Sequence, residues 1–308
     1  MIPAGGVDGV PFVKGHGTGN DFVLIPDGQA RLDLRPGQVR AICHRRFGIG
    51  ADGILRVVPT RLMPQAADLA DSAEYFMDHR NADGSLAEMC GNGARVFARY
   101  LRDSALVKSD RFRIATRAGL HAVSLEPDGS VTIDMGTATT PLLRAAPIVE
   151  ANGRSWPAVG VLVPNPHAVV FVDDLAEAGD LNQAPTVVPE AVFPEGVNVE
   201  FVRVLGADHV SMRVHERGVG ETMACGTGAC AVAWATLSRH AQGGGDHAQQ
   251  QAPSGIIRVD MPGGAVLVTQ ADSRLSLTGP AVLVAEGTLY LPPDRSVQDS
   301  GNSTPTPL

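Results

Sequence analysis

The chain has 308 residues, enough for one large domain or two of ordinary size. Its net charge of −8 argues against a general nucleic-acid binder and against binding to an anionic membrane. With 44% hydrophobic and 19% charged residues, the composition predicts a packed globule and excludes a largely disordered chain.

The numbers and positions of the lysines and cysteines limit the possible catalytic mechanisms and metal sites. Lys14 and Lys108 are the only lysines, so a Schiff-base mechanism such as that of pyridoxal phosphate has two candidates. The four cysteines are Cys43, Cys90, Cys225 and Cys230. They form neither a CxxC pair nor a zinc-like spacing, so we expect no metal site. Few thiols, no signal-peptide pattern and no apolar run of about 18 residues predict a cytoplasmic protein without a membrane segment.

Short apolar runs in chain order predict a strand-rich fold. A first set covers residues 10–13, 22–25, 54–58, 74–77, 112–115, 121–125 and 131–135. A second set covers residues 158–163, 168–172, 197–204, 209–215, 256–260, 265–269, 275–277 and 282–285. Three helices are predicted at about 36–47, 93–106 and 228–240. Polar stretches predict mobile loops over 64–72 and 242–255 and a disordered tail over 292–308.

An internal repeat is the most informative feature. MCGNGARVFARY (89–100) resembles ACGTGACAVAWA (224–235) at an offset of 135 residues, and the offset aligns Cys90 with Cys225. In each copy a predicted strand leads through a loop to C-G-x-G-A and then into a helix. Two copies predict two similar lobes rather than a solenoid.

Each repeat places a cysteine just before a helix. The helix N-terminus favours a thiolate, and its free N–H groups suit an anion such as a carboxylate. A lone cysteine in this position is more often a packing residue. Two cysteines in matching contexts favour a shared chemical role.

Inverting a carbon centre needs a base on one face and an acid on the other. Two equivalent thiols on two lobes that close on one substrate meet this demand, with one as thiolate and the other as thiol. The glycine N–H groups would stabilise charge on the substrate carboxylate as the α-proton leaves.

Five ordered motifs resemble the diaminopimelate epimerase family, and the resemblance spans about residues 10 to 290. They are KGHGTGNDFVLIPD (14–27), NADGSLAEMCGNGARVFARYL (81–101), NPHAV (165–169), GVNVEFV (196–202) and ERGVGETMACGTGA (216–229). The GHGT and LIPD forms are most similar to actinobacterial members. The resemblance implies an α/β fold of two pseudo-symmetric lobes, each a curved, mostly antiparallel sheet wrapped around a central helix.

The same resemblance implies the domains and the activity. The N-terminal lobe would cover residues 1–140, with a returning strand over 281–291, and the C-terminal lobe would cover 141–280. The expected enzyme is a homodimer without cofactor. It would interconvert LL- and meso-2,6-diaminopimelate in the synthesis of lysine and of peptidoglycan precursors.

The resemblance also implies a role for each site residue. Cys90 would donate the proton and Cys225 would accept it in the LL-to-meso direction. His167 and Glu216 would tune the two thiols. Main-chain donors would bind the reacting end of the substrate, namely those of Gly91, Asn92, Gly226 and Thr227. Side chains would bind its amino and carboxylate groups, namely those of Asn20, Asn81, Asn165, Asn198, Glu216 and Arg217.

Several alternatives stay open at this point. Asn20 and Asn81 lie in turn-like contexts and could cap turns, and His167 could be a structural histidine. Gly53 stands where many family members have glutamine, so that contact is not carried over. A two-cysteine racemase of another amino acid, similar to proline racemase, is the nearest alternative activity. A thiol redox or binding module is another, although the close cysteine pair typical of it is missing.

Overall fold

The computed structural model describes residues 9–141, 146–242, 254–271 and 273–291. The predicted disordered tail over 292–308 and most of the predicted loop over 242–255 lie outside these residues. The fold is a mixed α/β fold of two domains in which strands predominate.

Strands follow one another along most of the chain. The first seven are β1 (Val10–Gly17), β2 (Asn20–Pro26), β3 (Gly53–Pro59), β4 (Tyr75–Asn81), β5 (Arg111–Thr116), β6 (Gly119–Leu125) and β7 (Val131–Thr137). The next seven are β8 (Ile148–Ala151), β9 (Arg154–Val163), β10 (Asn165–Phe171), β11 (Thr186–Val188), β12 (Asn198–Gly206), β13 (His209–Glu216) and β14 (Gly220–Glu221). The last are β15 (Gly255–Met261), β16 (Gly264–Ala271), β17 (Arg274–Gly279) and β18 (Val282–Leu289).

The described α-helices are α1 (Pro36–Cys43), α2 (Gly91–Asp103) and α3 (Gly226–Gln242). Short 3₁₀ turns cover Thr60–Leu62, Pro64–Leu69, Leu175–Ala178 and Glu190–Val192. The segment predicted as a loop over 64–72 therefore contains a 3₁₀ turn.

The two central helices are buried inside the strands. In α2, the side chains of Val96 and Phe97 are fully buried and belong to the same apolar cluster as Val131 and Ile133 of β7. In α3, Val232 and its neighbours are equally buried against strands β15 and β16. Burial of apolar side chains at about 25 cal/mol per Å² is what holds each helix in place.

Strand pairing joins the two halves of the chain. β17 pairs antiparallel with β7, with Leu277 opposite Ile133, and β18 pairs antiparallel with β1. The last two strands of the chain therefore pair with strands of its first half. The domain boundaries given above stay a prediction.

The ends of the helices differ from the predicted ends for local reasons. α1 ends at Cys43 because His44 adopts an extended conformation. α2 begins two residues before its predicted start because the backbone of Cys90 already accepts the first helical hydrogen bond, from Ala94 at 2.8 Å. α2 ends at Asp103, because Ala105 has a left-handed φ of 54° that stops the helix.

Candidate active site

Cys90 and Cys225 cap the two central helices in the same way. The Sγ of Cys90 accepts a hydrogen bond from the Gly93 N–H at 3.4 Å. The Sγ of Cys225 accepts one from the Gly228 N–H at 3.3 Å. Each sulfur therefore satisfies one of the N–H groups that a helix start leaves unpaired. The two copies of C-G-x-G-A thus have the same local structure.

The starts of α2 and α3 meet. A Cβ placed on Gly226 would lie 3.4 Å from the Cα of Gly91 and 3.1 Å from Cδ2 of Leu277. The side-chain amide of Asn92 donates to the carbonyl of Ala224 at 3.1 Å, which links α2 to the residue before Cys225. A Cβ on Gly91 would lie 3.0 Å from Cδ2 of Leu277 and 3.1 Å from Cε of Met135, so a side chain at either glycine would press on the apolar side chains around the helix starts.

Asn20 lies beside Cys90. Its Oδ1 accepts from the Cys90 thiol at 3.6 Å and from the Asn92 amide at 3.2 Å. Its Nδ2 donates to Asp52 at 2.8 Å, and Asp52 is itself held by Arg45 at 2.6 Å. The predicted site residues Asn20, Cys90 and Asn92 therefore form one cluster.

Cys225 lies near a hydroxyl and a carboxylate, whereas Cys90 lies near the side-chain amide of Asn20. Its sulfur lies 3.4 Å from the hydroxyl of Thr227. A Cβ placed on Gly228 would lie 2.7 Å from Oε1 of Glu200 and 3.2 Å from the Cys225 sulfur, so the Glu200 carboxylate also faces this helix start. Nδ1 of His167 lies 2.7 Å from the same Oε1.

His167 connects this carboxylate to a further predicted residue. Its Nε2 lies 3.1 Å from Oδ1 of Asn165. His167 and Glu200 are both fully buried, so the pair is shielded from water. Sequence analysis missed Glu200, although a glutamate in the apolar run NVEFV is a signal of a buried polar contact.

Glu216, Arg217 and Asn198 lie where β12 and β13 approach each other. The backbone N–H of Arg217 donates to Oδ1 of Asn198 at 2.8 Å, and its guanidinium donates to the carbonyl of Glu195 at 2.8 Å. The hydroxyl of Thr222 donates to Oε1 of Glu216. The charge of Glu216 raises the pKa of both Cys90 and Cys225, so this carboxylate lies close enough to act on both thiols.

Asn81 makes its side-chain contact within its own turn, where its amide donates to Ser85 at 3.0 Å. It faces Gly53 across the β3–β4 ladder. A Cβ placed on Gly53 would lie 2.7 Å from the Arg80 carbonyl and 3.1 Å from Nε2 of His79. A glutamine side chain therefore has no room at position 53, because the backbone and His79 already fill the space.

Burial dominates the protonation of both thiols. It raises the pKa of Cys90 to about 11, with Glu216 acting in the same direction and the Gly93 N–H opposing it. Burial, Glu216 and Glu200 raise the pKa of Cys225 well above its ordinary value. The expectation that the helix start would lower these pKa values is wrong for the substrate-free structure, because one N–H group does not offset removal from water.

No group of three or more His, Cys, Asp or Glu side chains is arranged to hold a metal ion in the described ranges. No helix there is both long and apolar enough to cross a membrane.

Solved structures define the class of fold. A PhzF-family phenazine biosynthesis protein from Bacillus anthracis matches with a TM-score of 0.63 and 16% identity, covering 92% of this chain and 100% of its own. A hydroxyproline epimerase from Agrobacterium vitis matches with a TM-score of 0.60 and 14% identity, covering 91% and 92%. The predicted two-lobed class is confirmed.

Sequence matches define the family. The family model described as diaminopimelate epimerase matches residues 12–141 and 161–284. The diaminopimelate epimerase of Streptomyces coelicolor is 51% identical over 280 residues, covering 90% of this chain and 94% of the relative. That of Acidothermus cellulolyticus is 44% identical over 307 residues, covering 92% and 97%. The chain belongs to the diaminopimelate epimerase family, and the resemblance to its actinobacterial members is confirmed.

Proposed function

We propose that Cys90 and Cys225 carry the diaminopimelate epimerase activity of this chain as a two-base pair. In the LL-to-meso direction, the Cys225 thiolate removes the α-proton from one face of the substrate. The electron pair left on the α-carbon delocalises into the adjacent carboxylate. Cys90 then gives its thiol proton to the opposite face of the same carbon and becomes the thiolate.

The different contacts of the two sulfurs support this assignment. The Cys90 thiol donates to Oδ1 of Asn20, a contact that requires the sulfur to hold its proton. Cys225 faces the Gly228 N–H and the Thr227 hydroxyl, and both of these groups can donate to a thiolate. These hydrogen bonds thus support Cys90 as the acid, while Cys225, whose pKa is raised by burial, Glu216 and Glu200, must lose its proton to act as the base.

Substrate binding is proposed for the helix starts and the residues around them. N–H groups of Gly91, Asn92, Gly226 and Thr227 are suited to the carboxylate at the reacting carbon, where negative charge grows. His167 and Glu216 are proposed to tune the thiols, with His167 acting through Glu200. We propose that the amino and carboxylate groups of the substrate bind to Asn20, Asn81, Asn165, Asn198, Glu216 and Arg217.

The assembly and the compartment are further parts of the proposal. The exposed side chains of Val282 and Val284 lie on β18, and covering them in a homodimer would protect an apolar strand. The four cysteines, all in described segments, are free thiols, which fits a reducing compartment such as the cytoplasm.

Deuterium exchange tests the two-base assignment. The enzyme would be incubated with LL-diaminopimelate in deuterated water containing EDTA and no added cofactor, and NMR would follow the meso product and its α-deuterium. Cys90→Ala and Cys225→Ala should each slow epimerisation by about 10²- to 10⁴-fold, as expected for a general acid or base.

A matched control is Cys43→Ala, which changes a buried cysteine in α1 and should keep near-wild-type turnover. Wild-type turnover in either active-site variant would show that the assignment is wrong. Turnover of proline in place of diaminopimelate would favour the alternative racemase activity.

A further inference from the structure

Arg95 of α2 is a fully buried arginine whose hydrogen-bond partners, within the described part of the chain, include no carboxylate. Its guanidinium donates to the hydroxyl of Thr18 at 3.1 Å and to the carbonyls of Pro280 and Gly91 at 3.2 and 3.5 Å. A Cβ on Gly17 would lie 3.1 Å from its Nη2, so that glycine leaves room for the group. Burying a cation without an anion costs several kcal/mol, so we looked for a role that its hydrogen bonds could serve.

Arg95 fixes the direction of the next hydrogen bonds. A guanidinium only donates, so the Thr18 oxygen accepts from Arg95 and its single hydrogen goes to Oδ1 of Asn92 at 3.4 Å. The Asn92 amide nitrogen must then point the other way, toward Oδ1 of Asn20 and the carbonyl of Ala224.

Asp52 fixes the opposite end. Its carboxylate only accepts, so Asn20 must turn its Nδ2 toward Asp52. Oδ1 of Asn20 is thereby left facing Asn92 and the Cys90 sulfur. A donor at one end and an acceptor at the other thus give the whole series of bonds one direction.

We propose that the series Arg95–Thr18–Asn92–Asn20–Asp52 is a positioning network that keeps the Cys90 thiol protonated before substrate binds. Arg95 and Asp52 act through Asn20, which presents an acceptor, and not a donor, to the sulfur. A thiol can donate to that oxygen, whereas a thiolate would be repelled by it.

The second copy of the repeat has different residues at two positions of this network. The residue 135 positions after Arg95 is Cys230, a buried thiol, and the residue equivalent to Asn92 is Thr227. Two lobes that share the helix cap therefore differ in the residues behind it. Only the Cys90 thiol therefore faces an acceptor that this network holds in place.

The charges near Cys90 act on its pKa in opposite directions and do not depend on how Asn20 is oriented. Glu216 raises its pKa, whereas Arg95 itself and the N–H groups of Gly93 and Asn92 lower it. The orientation of Asn20 is thus a separate contribution, and one that a substitution of equal size can reverse.

Asp52→Asn is the variant that reverses it. Oδ1 of Asp52 accepts from Arg45, and Oδ2 accepts from both Asn20 and the Asp21 backbone N–H, so the new amide nitrogen must face a donor and Asn20 loses its charged acceptor. Asn20 should then rotate, remove the acceptor from the Cys90 thiol and offer a donor to the thiolate. Asp21→Asn is the matched control, because Asp21 also pairs with Arg45 but does not contact the Asn20 side chain.

The readout is the rate at which iodoacetamide alkylates Cys90 at pH 8 without substrate, followed by mass spectrometry of the Cys90 peptide. A pKa lower by one unit raises the thiolate fraction about tenfold, and the weaker nucleophilicity reduces the expected gain to about threefold. Asp21→Asn should stay near the wild-type rate. An unchanged Asp52→Asn, or an equal gain in Asp21→Asn, would overturn the proposal.

A double variant tests the coupling between the two ends. Thr18→Val removes the hydroxyl that orients Asn92, and in combination with Asp52→Asn it should raise the rate by more than the product of the single effects. A simple product would mean that the two ends act independently, against the proposal. The inference rests on the proposed role of Cys90, but alkylation needs no turnover. If the Cys90→Ala assay showed that Cys90 is not the acid, the alkylation rates would still test the network, so the two failures can be told apart.

Discussion

His79 shows how one buried side chain links stability to pH. It is 5% exposed, packs its ring edge against Phe22 and has an unpartnered Nδ1. Burial, and then the nearby charge of Arg117, lower its pKa from 6.5 to about 4. The unfolded chain therefore binds more protons than the folded chain between these values, and stability falls as the pH falls through this window.

His79→Phe should remove this part of the pH dependence. Between pH 7.5 and 4.5, the free energy of unfolding of the variant should fall by about 2 kcal/mol less than that of the wild type. Urea unfolding at both pH values measures the difference. His240→Gln, which changes an exposed histidine in α3, is the control and should keep the wild-type slope. An equal slope in His79→Phe would contradict the prediction.

Sequence indicated the two thiols but not the residues behind them. Cys90 and Cys225 stand out because the repeat aligns them. Arg95, Glu200 and Thr18 occupy apolar or glycine-rich stretches, and their partners are distant in sequence, such as Pro280 for Arg95. Only the folded chain brings such pairs together, so their contacts could not be predicted from spacing.

The two central helices begin with equivalent glycines that have different neighbours. A Cβ on Gly93 would lie 3.4 Å from Leu55 and Phe22, which is ordinary contact. A Cβ on Gly228 would lie 2.7 Å from the Glu200 carboxylate. The same substitution in the two copies should therefore have different effects.

Gly228→Ala should impair catalysis, whereas Gly93→Ala should be tolerated. The new methyl group at 228 displaces Glu200 from His167, which leaves buried polar groups unpaired at a cost of about 1–3 kcal/mol. Alanine at 93 instead gains up to about 1 kcal/mol of helix propensity. Turnover and thermal unfolding of both variants would be compared. Equal losses of turnover would show that the Glu200 contact does not matter.

Periodicity predicted the long elements well and the short ones poorly. Each of the three predicted helices is present, with its start displaced by at most two residues. Strands β8, β11 and β14 were not predicted, because two to four residues are too few to show an alternating pattern. These short strands depend on pairing partners, such as β8 for β11, that sequence does not reveal.

At the scale of the whole molecule, the two lobes bring their thiols to one place. The glycines that follow Cys90 and Cys225 approach so closely that a Cβ on Gly226 would lie 3.4 Å from the Cα of Gly91. The cysteines themselves are free thiols in this structure. A disulfide needs Cα atoms about 4.4–6.8 Å apart, and the close approach of the two helix starts leads us to expect that the lobes can bring the two cysteines to this separation.

Mild oxidation should therefore inactivate the enzyme by joining Cys90 to Cys225, and dithiothreitol should restore activity. The bridge would consume both the acid and the base and tie the lobes together. Peptide mass spectrometry of the inactive enzyme should find the linked pair. A Cys43→Ser, Cys230→Ser variant is the control and should be inactivated like the parent, because neither of those cysteines has a cysteine at the equivalent position of the other lobe. Free thiols at 90 and 225 in inactive enzyme, or resistance of the control variant, would refute the prediction.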